Sequence, residues 1–211
     1  TLGWYVSGHP LDVIAPWLPE ITSGSLMDVA ARAPKERKGR FGEVTATVAG
    51  MVGPMRRKGD SAFVQLQDAS GKLETRFSGE AYAEYGGLID SADILVLEGQ
   101  IAWDEFLNAP ILRVRRAQSL TDATASAARS LRVRLIDPAP NIVERIKTVL
   151  RSSRGGTRVR IDLQRGNSEM SFDLGDDWRV RATPALLEAL RALPCAAEIQ
   201  FSRQMAESLA A

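Results

Sequence analysis

The sequence predicts two domains: an all-β five-stranded barrel, then a small α+β domain of order β-α-β-β-β-α-β. Three observations carry that reading. Between residues 43 and 120, apolar residues recur at every second position in successive stretches, the period of a half-buried strand. A single helix-like segment separates the third stretch from the fourth. Beyond residue 130 the apolar spacing switches between period two and the three-to-four spacing of amphipathic helices.

Residues 1–40 read as a lead-in. Residues 2–7 suit a helix, Gly8-His9-Pro10 breaks it, and Pro16, Pro19 and Pro34 follow. The charged run KERKGR at 35–40 then reads as an exposed hinge.

The barrel occupies residues 41–121. In its first strand Val44, Ala46, Val48 and Gly50 alternate with Thr45, Thr47 and Ala49, and Gly50 is expected where a small barrel bends. Arg56, Arg57 and Lys58, with Gly59, read as a flexible basic loop. In the second strand Ala62, Val64 and Leu66 face the core, leaving Ser61, Phe63, Gln65 and Gln67 outside. Asp68-Ala69-Ser70-Gly71 supplies turn chemistry. In the third strand Leu73, Thr75 and Phe77 point inward, Lys72, Glu74 and Arg76 outward. Residues 80–88 form a short helix that caps the barrel. In the fourth strand Ile94 and Val96 alternate with Leu95 and Leu97, so both faces are buried. The loop WDEFLNAP leads to a fifth strand carrying Arg113, Arg115 and Arg116. Strand, basic loop, strand, tight turn, strand, helix, strand, loop, strand is the order of the oligonucleotide-binding (OB) fold. Such barrels bind single strands across strands 2 and 3 and the loops joining strands 1–2 and 4–5.

Residues 122–129 are small and polar and read as a linker. The second domain covers 130–205. SLRVRLI is a strand; residues 141–150 are a helix with Asn141 as N-cap and Ile142, Ile146, Val149 and Leu150 as its stripe. TRVRIDLQ and SEMSFDL form a hairpin about Arg165-Gly166-Asn167, and DWRVRA is a further short strand. Thr183 caps a helix that has Pro184 in its first turn, and AAEIQF closes the unit. Residues 206–211 are a tail.

Net charge is +1 over 211 residues, so nucleic acid is not attracted by bulk charge and any such binding rests on local patches. Residues 41–128 carry 8 basic against 12 acidic groups, residues 129–165 carry 10 against 3, and residues 166–211 carry 4 against 7. The single Cys195 excludes an internal disulfide and suits a reducing cytoplasm. No apolar run is long enough for a membrane span, and the first residues lack the pattern of a secretion signal. The chain does not begin with Met and reads as part of something longer. No catalytic triad, Cys/His metal cluster, P-loop or dinucleotide fingerprint is present. No catalytic residue, metal or cofactor is therefore expected.

The candidate nucleic-acid contacts are Arg56, Arg57, Lys58, Phe63, Lys72, Arg76, Trp103, Arg113 and Arg115. Phe63 by its alternation offers a base-stacking face, unless the register slips and it fills the core. Arg56, Arg57 and Lys58 are phosphate contacts or a solvated turn. Trp103 and Phe106 stack bases or plug the barrel mouth, with Asp104 and Glu105 repelling phosphate beside them. Arg132 and Arg134, and likewise Arg158 and Arg160, alternate on their strands so that each pair shares one face, a surface for nucleic acid or for an acidic protein, or a solvated sheet face.

Gly3-Trp4-Tyr5-Val6-Ser7-Gly8-His9-Pro10-Leu11-Asp12 resembles a segment that precedes the OB domain of the bacterial replicative polymerase family, the DNA polymerase III alpha subunits. The barrel residues Val48-Ala49-Gly50, Arg56-Arg57-Lys58-Gly59, Phe63-Val64-Gln65-Leu66-Gln67-Asp68, Ser70-Gly71-Lys72-Leu73-Glu74, Phe77, Tyr85 and Leu97-Glu98-Gly99 are similar to that family's OB pattern, which recurs in some aminoacyl-tRNA synthetases. Residues 131–201 resemble the family's terminal domain in order and position. The resemblance implies a non-catalytic C-terminal region. Its barrel would contact single-stranded template DNA through Arg56, Arg57, Lys58, Phe63 and Arg76. Its terminal domain would dock the tau subunit of the clamp loader, and the rest of the alpha chain would be a further partner. The polymerase carboxylates would lie upstream. The alternatives are an RNA-binding OB module of another family, such as a tRNA synthetase, and a protein-interaction module that binds no nucleic acid.

Overall fold

The computed structural model describes residues 15, 18–34, 44–194 and 196–203. The Gly3–Asp12 motif, the hinge at 35–40, Cys195 and the tail at 206–211 lie outside the described residues. The chain divides into two compact units at residues 120 and 121.

The first unit is a closed barrel built from five strands: β1 (Val44–Lys58), β2 (Ser61–Gln67), β3 (Lys72–Phe77), β4 (Ile94–Asp104) and β5 (Ala109–Ser119). Their order around the barrel is β1-β2-β3-β5-β4, with β3 and β5 the parallel pair that closes it. Alternation sets the core as expected. Val64, Leu66, Leu73, Phe77, Leu95, Leu97 and Leu112 are fully enclosed, and Thr75, also buried, donates its hydroxyl to the Val64 carbonyl at 2.8 Å. Val96 is buried as well, so β4 is covered on both faces over its first half. The long β1 serves two neighbours, β4 through its first half and β2 through its second. Its ladder breaks between Val52 and Met55, at Gly53-Pro54, rather than at Gly50. A second break in the β4–β5 ladder sits at Gly99. A Cβ built on Gly99 would meet the Arg113 carbonyl oxygen at 2.2 Å, so no other residue fits this approach.

Two helices close the barrel ends. Helix α3 (Gly79–Ser91) follows β3, capped by Ser78, whose hydroxyl accepts the Ala81 amide, and buries Ala81 and Ile89 against the core. The lead-in is more than a spacer. Its described part carries α1 (Leu18–Ile21) and α2 (Leu26–Ala30), and α2 buries Leu26 and Val29 in the barrel core. The turn after β2 holds it, since the Asp68 carboxylate accepts the Leu26 amide at 2.8 Å. Ser25 caps α2 in a reciprocal box with Asp28, and these hydrogen bonds hold the Asp28 carboxyl below its ordinary value.

In the second unit, the stretch expected as a linker is a helix, α4 (Leu120–Ala127), running straight into β6 (Ala128–Ile136). Its composition, rich in alanine, favours helix over coil. Then come α5 (Ile142–Arg151), β7 (Arg154–Arg165), β8 (Ser168–Asp173), α6 (Pro184–Arg191) and β9 (Ala196–Arg203). The sheet order is β8-β7-β6-β9. Strands β6 and β7 are parallel, joined across α5, and β7–β8 is the expected hairpin, turning at Gly166 with φ +55°. Two expectations fail. The segment DWRVRA is not a strand: Asp176–Trp178 is a 3-10 turn and only Val180 bridges to β7. The unit therefore has four strands, in the order β-α-β-β-α-β after α4. Asn141 precedes α5 but makes no side-chain cap, because its backbone (φ −88°, ψ 2°) is not in the extended region that aims a capping side chain at the first turn. Thr183 does cap α6, accepting the Leu186 amide at 3.2 Å. Leu131, Val133, Leu135, Val159, Leu186, Leu187 and Leu190 are buried.

Candidate nucleic-acid interface

The hairpin between β1 and β2 determines the site. The expected loop is strand: Arg56, Arg57 and Lys58 all pair with β2, and only Gly59 and Asp60 turn the chain, Gly59 with φ +63°. A two-residue turn with glycine at its first position matches the twist of paired strands. It sets Lys58 opposite Ser61, Arg57 opposite Ala62 and Arg56 opposite Phe63. Phe63 in turn stands opposite Arg76, and Arg76 beside Arg113. Four strands thus contribute one transverse row, Arg56–Phe63–Arg76–Arg113, on the outer face of the barrel. Inter-strand spacing makes this row about 14 Å long.

Phe63 is half-buried, on the outside as alternation requires. The Arg56 guanidinium carbon lies 5.2 Å from its ring centroid and that of Arg76 5.8 Å, so cations from both neighbouring strands flank the ring. The two cations are held differently. Arg56 is tied to Glu74 by contacts of 2.6 and 3.2 Å. Among the described residues Arg76 has one side-chain hydrogen bond, to the Ser61 hydroxyl at 3.3 Å, and Ser61 is buried rather than exposed as expected. Arg113 and Lys58 have no acidic partner among the described residues. Lys72 shares the outer face of β3 but stands four residues from Arg76, about 13 Å along the strand.

The other candidates do not join the row. Arg57 has the opposite parity and lies over the Tyr82 ring of α3, 4.5 Å from its centroid, while donating to the Tyr82 hydroxyl. Arg115 is the extra residue of the β5 bulge, between Val114 and Arg116. Trp103 is within β4, opposite Pro110, not in the loop. Its parity is that of the enclosed Ile101, not of the outer row, and it is half-buried. The loop itself is a tight turn in which the Asp104 carboxylate accepts the amides of Phe106 and Leu107, leaving Phe106 fully exposed.

In the second unit the parallel register of β6 and β7, with Arg132 opposite Arg160, brings Arg132, Arg134, Arg158 and Arg160 to one sheet face. They share it with carboxylates. Asp162 receives Arg132, Arg160 at 3.4 Å and the Ser171 hydroxyl at 2.6 Å. Arg134 reaches Glu169 at 3.1 Å and Gln164 at 2.8 Å, and Arg160 reaches Asp173 at 3.5 Å. Burial pushes the Asp162 carboxyl up, but the hydrogen bonds from Ser171 and Arg132 outweigh it and hold the group below its ordinary value. The same bond raises the Arg132 guanidinium. Arg158 alone of the four has no acidic partner among the described residues. Among the described residues, no three or more His, Cys, Asp or Glu groups are placed to hold a metal, and no helix is long and apolar enough to cross a membrane.

Sequence alternation identified the faces but missed the row. It also missed the Arg56–Glu74 pair and the Arg57–Tyr82 stack. The available signal was the Gly59-Asp60 turn: a two-residue turn puts position 56 opposite 63.

Three curated relatives align with nearly the whole chain. The DNA polymerase III subunit alpha of Xylella fastidiosa is 32% identical over 214 residues, covering 95% of this chain and 18% of that protein. Those of Pseudomonas aeruginosa and Escherichia coli are 30% and 28% identical, covering 90% and 92% of this chain. The chain spans less than a fifth of the length of these relatives. No family model matches. Among solved structures, asparaginyl-tRNA synthetase from Pyrococcus horikoshii overlaps 45% of this chain and 22% of that chain at a TM-score of 0.37 and 14% identity. The S. pombe Stn1-Ten1 complex overlaps 35% of this chain and 56% of that chain at 0.31 and 15%. At such scores the barrel assignment rests on its own strand order.

Proposed function

We propose, for a chain homologous over nine-tenths of its length to DNA polymerase III alpha subunits, that it is a non-catalytic region of a replicative polymerase with two jobs. The barrel contacts single-stranded template DNA, and the second unit docks the tau subunit of the clamp loader. The Arg56–Phe63–Arg76–Arg113 row carries the first reading. An aromatic face between cations, on the β2–β3 face of an OB barrel, combines the two elements that hold a single strand without reading sequence: stacking and phosphate neutralisation. Glu74 fixes Arg56, so Arg76 is the cation that gives way. A base displaces it from the Phe63 ring, and the freed guanidinium turns to a phosphate beside Arg113. Lys58 and Lys72 extend the cationic track at either end of the strands.

The net acidic barrel makes this a weak positioning contact. Fluorescence anisotropy of a labelled dT oligomer, titrated with the 211-residue chain at two salt concentrations, tests it. Salt-sensitive binding is expected. Affinity indifferent to salt and to loss of Arg76 and Arg113 would mean the barrel is a protein-interaction module. Tighter binding of the matching rU oligomer would favour an RNA module that reads 2′-hydroxyls. The docking reading is supported by the homology and is tested by direct binding of a tau subunit.

A further inference from the structure

The reading that the second unit docks a protein leaves open which of its surfaces does so, and the arginine face is a poor choice because its own carboxylates occupy it. The opposite side of the sheet offers more. Strand β8 is the edge of the sheet, and it alternates strictly. Met170 and Phe172 stand opposite Leu163 and Ile161, on the apolar side. Glu169, Ser171 and Asp173 stand opposite Gln164, Asp162 and Arg160, on the arginine side. Helix α5 buries Ile142, Ile146 and Leu150, and its Val143 and Lys147 line one groove with Phe172 of β8. Met170 and Phe172 remain 58% and 41% exposed, and Val143 on α5 is 53% exposed. Between them runs an apolar groove of about 330 Å³, lined by Val143, Lys147, Leu163, Phe172, Leu174 and Trp178.

Among the described residues no strand pairs with the outer edge of β8. The Leu174 amide donates to the Val159 carbonyl at 2.9 Å. By the alternation of an antiparallel ladder, the main-chain groups of residues 168, 170 and 172 then face β7. Those of Glu169, Ser171 and Asp173 face outward. The strand contains neither proline nor lysine, two common guards of an edge. A strand added there would lie opposite Met170 and Phe172 in the non-hydrogen-bonded pairing, which brings side chains closest.

Charge selects the occupant. Glu169 and Asp173, although they contact Arg134 at 3.1 Å and Arg160 at 3.5 Å, keep 68% and 78% of their side chains exposed, so each carboxylate can take a further cation from the open edge. Two copies of β8, paired about Ser171 so that both apolar sides coincide, would set Glu169 of each against Asp173 of the other. Like charges directly opposite destabilise a strand pair. A strand with basic residues at those positions reverses the sign. We infer that β8 accepts an extended segment of a partner protein in which apolar residues, seated in the groove, alternate with basic residues opposite Glu169 and Asp173. This deepens the docking reading and rests on it for the identity of the partner.

The test uses the 211-residue chain and a synthetic ten-residue peptide alternating valine with lysine. A valine–glutamate peptide is the control. Amide exchange of Glu169, Ser171 and Asp173, followed by NMR, should slow with the first peptide and not with the second. Glu169→Pro removes an outward amide and leaves the β7 ladder whole, and Phe172→Ser removes a groove wall. Each should weaken peptide binding at least tenfold with melting temperature within a few degrees, while Arg158→Glu leaves it unchanged. The inference is overturned by equal protection from both peptides or none. It is also overturned if these amides are already protected in the dilute free chain, where the chain covers its own edge, or if protection rises with protein concentration, where copies self-pair. A tau subunit titrated against the same variants separates the two readings. If it binds and only Arg158→Glu weakens it, docking stands and the edge assignment falls. If it does not bind while the lysine peptide does, the edge stands and tau is the wrong partner.

Discussion

Replacing Phe63 by alanine separates stacking from charge. The ring stands between two cations and carries no charge itself. Base–aromatic stacking contributes about 1–3 kcal/mol per base, so Phe63→Ala should weaken a dT oligomer by about 5-fold to 150-fold. The dependence of log affinity on log salt should keep its slope, because no phosphate contact is lost. Arg76→Ala should do the reverse. It removes one phosphate neutraliser and lowers the slope by about 0.7, while its direct effect on affinity is partly offset because the ring no longer has to shed a guanidinium. With Arg76, Arg113, Lys58 and Lys72 as the cations free to turn outward, the parent slope should be about −3. The assay is fluorescence anisotropy at three or more salt concentrations, with thermal melts to confirm that each variant folds. Phe63 is half-buried on the outer face, and losing two surface cation–π contacts costs about 0.5–1 kcal/mol each, so the melt should shift only modestly. An unchanged affinity in Phe63→Ala, beside a reduced slope in Arg76→Ala, would refute stacking and leave a purely electrostatic face.

Four further outcomes follow from the same geometry. Glu74→Gln removes the carboxylate that holds Arg56 and frees that cation; dT affinity should rise severalfold and the salt slope should steepen by about 0.7. Arg57→Ala should leave dT affinity within twofold, since this side chain lies on Tyr82, and should show instead as a small loss in melting temperature. Gly99→Ala forces a Cβ onto the Arg113 carbonyl and should destabilise the barrel by about 3 kcal/mol in urea unfolding, the upper end for overpacking. Asp162→Asn should destabilise the second unit by about 1–2 kcal/mol, low for charge-assisted hydrogen bonds because Arg132 and Arg160 stay half-exposed. The Asp162 carboxyl sits lower in the folded than in the unfolded chain. Its contribution is thus fully present above the unfolded value of about 3.9 and disappears as pH falls through the folded value. The parent and variant should differ equally at pH 5 and 8 and converge below about pH 4.

Period two made the barrel legible. Each inward residue of β2 and β3 was identifiable because a one-residue slip would have exposed Val64, Leu66 and Phe77 together. Phe63 was legible for the same reason. Register between strands was harder. The run Arg56-Arg57-Lys58 reads as a loop on composition, since basic residues beside glycine usually mark one. The ladder overrides that, because each residue pairs with β2 and only two positions are left for the turn. Whether Arg57 joins Arg56 on one face depends on that distinction: loop residues can converge, strand residues alternate. The linker misread has the opposite cause. Small polar residues suit coil, but alanine recurring through 123–128 favours helix, and tertiary packing buries Ala123 and Thr124.

The charge blocks carry the deeper lesson. Residues 129–165 and 166–211 are oppositely charged along the chain, which read in one dimension promises a strongly basic surface. Folding cancels it. The β7–β8 hairpin lays Glu169 and Asp173 of the second block beside Arg134 and Arg160 of the first, and Asp162 sits among the arginines of its own block. What remains is a face of internal ion pairs on which Arg158 has no acidic partner among the described residues. The barrel does the opposite. Its total charge is acidic, but Glu80, Glu84 and Asp90 are on α3 and Asp104 is spent on its own turn, while Arg76 and Arg113 stand in register beside Phe63, and among the described residues Glu74 is the acid bound to the row, through Arg56. Net charge would assign nucleic acid to the second unit and protein to the first. The placement of these groups predicts the reverse, and the prediction is measurable: Arg113→Glu should abolish dT binding by the chain, and Arg158→Glu should leave it within twofold.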